Sequence, residues 1–166
     1  MIASRRDIAT LREGGQKLGG ILARLAEAVQ PGISTFELDR MAAELIATAG
    51  GTPAFKGYRM EKSDPAYPAS ICTSINSEVV HGIPDRTRIL RNGDIVGIDI
   101  GMRYPARGGL ITDAAVTVPV GDIAPDRERL IRVTREALER GITVIRAGIR
   151  IGDLGAAIQH SIESNG

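Results

Sequence analysis

Gly93-Asp94-Ile95-Val96-Gly97-Ile98-Asp99-Ile100-Gly101 and, beyond a short break, Leu110-Ile111-Thr112-Asp113-Ala114-Ala115-Val116-Thr117-Val118 decide the fold. Both stretches are dense in β-branched residues, and Pro105 and Gly108-Gly109 lie between them, so strands are predicted over Asp94–Gly101 and Leu110–Val118. A side-chain period of two puts Gly97, Asp99 and Gly101 on one face and Val96, Ile98 and Ile100 on the other. On the second strand Asp113 shares a face with Ile111, Ala115 and Thr117. A hairpin centred on Ala106 would set Asp99 directly opposite Asp113, with their Cβ atoms about 4.5–5.5 Å apart.

Working outward, Ser70–Ile75 reads as a third strand, and Val79-Val80 as a continuation of that sheet beyond Asn76-Ser77. Residues 51–69 carry Pro53, Pro65 and Pro68 with no period and read as loop. Before them stand two helices. Ser4-Arg5-Arg6-Asp7 is a capping box, followed by Ile8, Leu11, Leu18, Leu22, Leu25 and Val29 at mostly helical spacing; Gly14-Gly15 and Gly19-Gly20 interrupt this helix and Pro31-Gly32 ends it. Ser34-Thr35-Phe36-Glu37 is a second capping box, and Leu38, Met41, Leu45 and Ile46 follow it up to Gly50-Gly51. After the strands, Ala124-Pro125-Asp126 opens a long helix through Leu130, Val133, Ala137 and Val144 to about Gly148. A last helix runs from about Gly152 to Ser164. The order is that of an α+β protein. Gly32-Ile33 with Glu37-Leu38 is matched by Gly148-Ile149 with Asp153-Leu154 at an offset of 116 (148 − 32), a hint of an internal repeat whose second copy has only its helices.

Composition narrows the chemistry. A length of 166 residues fits one domain, and such a domain buries about 70% of its unfolded surface. With 43% hydrophobic and 25% charged residues the chain is globular in type. Lys and Arg number 21 against 20 Asp and Glu, a balance that points away from nucleic acid and from anionic membrane as partners. One cysteine rules out an internal disulfide, and with two histidines it rules out the usual Cys and His zinc sites, so any metal must lean on carboxylates. No apolar run approaches membrane-spanning length, and Met1-Ile2-Ala3-Ser4-Arg5-Arg6-Asp7 lacks a signal peptide's apolar core, which makes the cytoplasm the expected compartment.

Directly opposed like charges weaken a sheet unless a cation lies between them. Asp99 and Asp113 are therefore the leading candidates for a site holding two divalent ions that activate a bridging water, with oxygen donors favouring Mn, Fe, Co, Mg or Ca. On spacing alone they read equally well as solvated strand residues near a turn. His81, after Val79-Val80 and before Gly82-Ile83-Pro84, is placed either to hydrogen-bond a substrate in a cleft or to end a strand. Cys72 reads as a buried thiol or a pocket wall, His160 as a surface residue, and the Arg and Glu of 127–140 as a solvated helix face. No dinucleotide, Walker A, H-E-x-x-H or G-x-S-x-G motif is present.

Asn76-Ser77-Glu78-Val79-Val80-His81-Gly82-Ile83-Pro84, followed by Gly93–Gly101 and Thr112-Asp113, resembles type I methionine aminopeptidases. Pro31–Thr35, Pro53–Tyr58, Ala147-Gly148-Ile149 and Leu154–Ile158 look like segments of the same family, so the likeness covers nearly the whole chain. It implies a pita-bread (creatinase/aminopeptidase) α+β fold of pseudo-twofold halves, here the N-terminal half plus the first two helices of the second. It also implies a single catalytic domain over 1–166 that is incomplete at its C-terminus. The implied activity is removal of N-terminal methionine from nascent proteins. A metal-bridging hydroxide attacks the carbonyl, a glutamate shuttles the proton and the ions act as Lewis acids. The resemblance makes Asp99 a bidentate ligand of one of two divalent ions (Co, Mn, Fe or Zn), Asp113 the ligand bridging both, and His81 the catalytic residue contacting substrate. The family's remaining ligands, one histidine and two glutamates, are expected beyond Gly166, which leaves two of five and predicts weak metal binding. A truncated coding sequence and a natural short form are the two explanations, and a homodimer would restore two halves to the latter. The ribosome joins nascent peptide as an implied partner. Two segments depart from the family pattern: the connection between the aspartates and residues 59–67 are both longer. A non-catalytic peptide- or partner-binding module and an Xaa-Pro peptidase are the alternatives, and Glu78–Pro84 favours the methionine-specific branch.

Overall fold

A computed structural model describes residues 4–165. Met1–Ala3, the start of the segment read above for a signal peptide, and Gly166 lie outside the described residues. The elements are α1 (Arg5–Ala28), α2 (Thr35–Thr48), β1 (Thr52–Pro53), β2 (Ile71–Ile75), β3 (Ile95–Tyr104), β4 (Leu110–Pro119), α3 (Pro125–Val144) and α4 (Ile151–Glu163). They fall into two compact units, Met1–Asp122 and Ile123–Gly166.

In the first unit β3 is the centre of an antiparallel sheet, with β4 along one edge and both β1 and β2 along the other. Alternation sorts its side chains. Val96, Ile98, Ile100 and Met102 are fully buried and form one core with Leu18, Ile21, Leu22 and Leu25 of α1 and Leu38, Ala42 and Ile46 of α2. Each large apolar side chain so buried contributes about 1.5–3 kcal/mol. The helices start where the two capping boxes put them: Ser4 accepts from the Asp7 amide at 3.1 Å, and Ser34 from that of Glu37 at 3.2 Å.

The structure departs from the sequence-based expectations at five places. The β3–β4 hairpin centres on Arg107, not Ala106, so Asp99 faces Ala115 and Asp113 faces Gly101. The cause lies in the five-residue connection, where Gly109 folds back so closely that a Cβ on it would sit 2.0 Å from the Pro105 carbonyl oxygen. Val79 and Val80 do not extend β2; they are 89% and 64% exposed in a loop. Helix α1 runs unbroken through both glycine pairs, with Gly14 buried near Tyr104 and Thr112, where a bare backbone lets helix and sheet approach. Helix α3 ends at Val144, earlier than predicted, and a two-residue strand, β1, lies in the segment read as loop.

The second unit is the α3–α4 hairpin, and its internal geometry repeats the α1–α2 junction. The residue closing the first helix has φ −68°, ψ 118° at Val29 and φ −69°, ψ 117° at Ile145. Gly32 and Gly148 both take positive φ, at 95° and 87°. Glu37 accepts from the Ser34 amide at 2.9 Å, and Asp153 from that of Arg150 at 3.0 Å. Every one of these pairs keeps the offset of 116 seen in sequence (145 − 29).

Candidate metal and peptide site

The face of the sheet turned away from α1 and α2 is built from small and polar residues: Gly97, Asp99 and Gly101 on β3, Asp113, Ala115 and Thr117 on β4, and Cys72 on β2 beside Asp99. Ile98 and Ile100 are locked in the core, so the pleat must project Asp99 to the opposite side. Asp113 stands one diagonal step from Asp99, a spacing of about 7–8 Å between Cα atoms in such sheets. A cavity of about 590 Å³ opens over this face, and Asp99, Asp113 and His81 all line it.

Both carboxyls are held above their usual pKa. Burial is the main cause at Asp99, followed by the charge of Asp113, with His81 pulling the other way; burial is the main cause at Asp113 too, and the repulsion between the two carboxylates is mutual. Asp99 Oδ1 is buried with no hydrogen-bond partner. A desolvated anionic oxygen left unpaired costs free energy that a cation beside it recovers. Two hard oxygen donors on one wall suit a divalent ion of the Mn, Fe, Co or Mg kind. Among the described residues no group of three or more His, Cys, Asp or Glu is arranged to hold a metal.

His81 reaches the cavity from the loop that follows β2. Its φ is +59°, a region that side-chain-bearing residues seldom occupy. The neighbouring Gly82 is pressed onto β2: its carbonyl accepts the Thr73 amide at 2.7 Å, and a Cβ there would lie 2.1 Å from the Thr73 oxygen. His160 is exposed on α4 in the second unit.

The remaining cavity wall escaped sequence reasoning. Phe55, Tyr58 and Tyr67 line it, and Phe55 meets Tyr67 edge to face at 6.5 Å. The Tyr67 hydroxyl bonds the Ile71 carbonyl at 3.1 Å and Cys72 Sγ at 3.2 Å, while burial raises the pKa of both groups. Cys72 is thus both buried and a pocket wall. Reciprocal backbone bonds, Gly57 to Tyr67 and Tyr67 to Tyr58, each 2.9 Å, close the segment between them into a loop that adds Arg59, Met60 and Asp64 to the wall. The available signal was composition: three of the chain's five Phe and Tyr residues fall within 55–67.

Residues 9–166 match metallopeptidase family M24. The methionine aminopeptidase of Aquifex aeolicus is 39% identical over 163 residues, which are 98% of this chain and 62% of that protein. The crystal structure of methionine aminopeptidase from Thermotoga maritima superposes with a TM-score of 0.90 at 35% identity, covering 99% of this chain and 62% of that one. An Xaa-Pro dipeptidase from Bacillus anthracis superposes at 0.82 with 21% identity over 99% of this chain and 42% of its own, a likeness of fold alone. The chain spans about 62% of the length of the methionine aminopeptidases it matches.

Proposed function

The chain belongs to metallopeptidase family M24 and has the α+β pita-bread fold of its structural neighbours, and from that premise we propose that it acts on the N-terminal methionine of newly made proteins as a metal-dependent aminopeptidase. The observation that carries this reading is the Asp99–Asp113 pair on one open sheet face, with the unpartnered Asp99 Oδ1, in the same cavity as His81. Asp99 and Asp113 would hold two divalent ions (Co, Mn, Fe or Zn) from one side. Bound there, such ions supply Lewis acidity and lower the pKa of water at neutral pH.

The chain's own residues do the rest. His81, which lines the cavity, would donate a hydrogen bond to the carbonyl of the scissile peptide and so orient it. Phe55, Tyr67, Cys72 and Ile111 offer an apolar wall to an unbranched thioether side chain. The partners that accompany this reading are the nascent N-terminal peptide, the ribosome and a second copy of the chain, the last tested by light scattering. The compartment that accompanies this reading is the cytoplasm. No helix among the described residues is long and apolar enough to cross a membrane.

The deciding assay is methionine release from a Met-Ala-Ser peptide with Co²⁺ or Mn²⁺, comparing the natural chain with Asp99→Ala. Release by the natural chain alone supports the reading. Release by neither removes the hydrolase from this chain and leaves a peptide-binding module, which titration of the same peptide would detect.

A further inference from the structure

Two abrupt turns bracket the segment that presents His81. At Asn76 the backbone leaves β2 with φ +55°, and at His81 it turns again with φ +59°. Asn and His enter this region more readily than most non-glycine residues, and Asn76 is further held by its amide hydrogen bond to the Ile95 carbonyl at 2.9 Å and its side-chain bond to Asp94 at 2.8 Å; His81 has to be held by what surrounds its loop. Apolar packing does not hold it, because Val79 and Val80, between the two turns, are 89% and 64% exposed. Gly82, pinned against Thr73, fixes only the far end.

What spans the gap is polar. Glu78 is tied to the end of β2 twice: its amide donates to the Ile75 carbonyl at 3.1 Å, and its Oε2 accepts the Ile75 amide at 2.9 Å. The same Oε2 accepts from Arg88 Nη2, and Arg88 Nη1 donates to the Ile83 carbonyl at 2.7 Å. One guanidinium therefore grips the chain on both sides of His81, three residues before it and two after. Arg88 is itself anchored. Its carbonyl accepts the Thr35 amide at 2.9 Å, in the first turn of α2, and its side chain is only 23% exposed. A planar fork with two donors suits this double grip, and an ammonium does not reproduce it.

We propose that the Glu78–Arg88 pair is a positioning device that clamps the loop between Asn76 and Ile83, holding His81 in its left-handed backbone conformation with the imidazole in the cavity. This rests on the reading of His81 as the residue that meets the peptide. Arg88 and Glu78 touch no substrate; they act through His81. The clamp also explains why an exposed loop can present a group with the rigidity that orientation of a substrate demands.

The test uses the whole chain and its two histidines, whose imidazole signals in ¹³C–¹H correlation spectra are separable. In the natural chain His81 is expected to give one sharp set. In Arg88→Ala that set broadens or splits while His160 is unmoved, and Arg88→Lys sharpens it only in part. Glu78→Gln, which keeps the size of the side chain and an oxygen for the Ile75 amide, repeats the loss and decides the matter if Arg88→Ala fails to fold. His81 signals unchanged in width and position in Glu78→Gln or a folded Arg88→Ala overturn the proposal. Peptide cleavage is measured separately: a mobile His81 in the variants of an inactive chain supports the clamp and overturns only the hydrolase reading.

Discussion

Asp113→Asn should make the metal-free protein more stable at neutral pH, and the size of the gain follows from the sheet. Asp99 and Asp113 are diagonal neighbours, and unit charges about 7 Å apart repel by roughly 2 kcal/mol at an effective dielectric of about 20. The face is open to solvent on one side, so screening reduces the expected gain to about 1 kcal/mol. The pH dependence carries the sign. Both carboxyls have folded-state pKa values above the ordinary 3.8, so they bind protons more tightly folded than unfolded. Their contribution to stability is therefore full below pH 3.8 and is lost as pH rises through the raised values. Removing one carboxylate flattens that decline. The measurement is urea unfolding from pH 3 to pH 8 in chelator, repeated with Mn²⁺. The natural chain gains stability with the cation and Asp113→Asn gains little. Equal stability of the two proteins at pH 7 in chelator, or the same gain at pH 3 as at pH 7, would refute the argument that the pair stores electrostatic repulsion.

Three further outcomes follow from packing and capping. Leu38→Ala empties a fully buried position between α2 and the sheet and is expected to cost about 2–5 kcal/mol by urea unfolding. Ser34→Ala removes the cap of α2, where the hydroxyl also donates to Glu37 Oε2 at 2.7 Å, and costs about 1 kcal/mol in the same assay. Cys72, buried and with its thiol pKa raised chiefly by burial, should react with a disulfide reagent far more slowly in the folded chain than in urea, and its rate should rise at alkaline pH.

The sequence made the skeleton legible because the signals were local. Two Ser-x-x-acid boxes marked both N-terminal helices to the residue, and the β-branched runs of β3 and β4 marked the strands. Period two was enough to put Asp99 and Asp113 on one face. It was not enough to set them opposite each other, because register is fixed by the turn, and the tight approach of Gly109 to Pro105 moved the centre by one residue. The 55–67 wall has no period, since its residues are held by an aromatic contact and a closed loop and not by a regular ladder. The glycine pairs of α1 misled for a related reason: at Gly14, long-range packing against the sheet outweighs local helix propensity.

The two faces of β3 have a consequence for how this protein can change. Every residue that holds the strand in place points one way, and every residue that can touch a ligand points the other. A substitution at 99 or 113 alters charge, shape or affinity without opening a void among the leucines and isoleucines behind it, whereas Gly101 is held small by Phe55, which a Cβ there would approach to 2.7 Å. Such an arrangement lets selection rewrite the chemistry of the open face while the foundation stays still. It also means that loss of activity, if it came, would leave a well-folded and persistent relic.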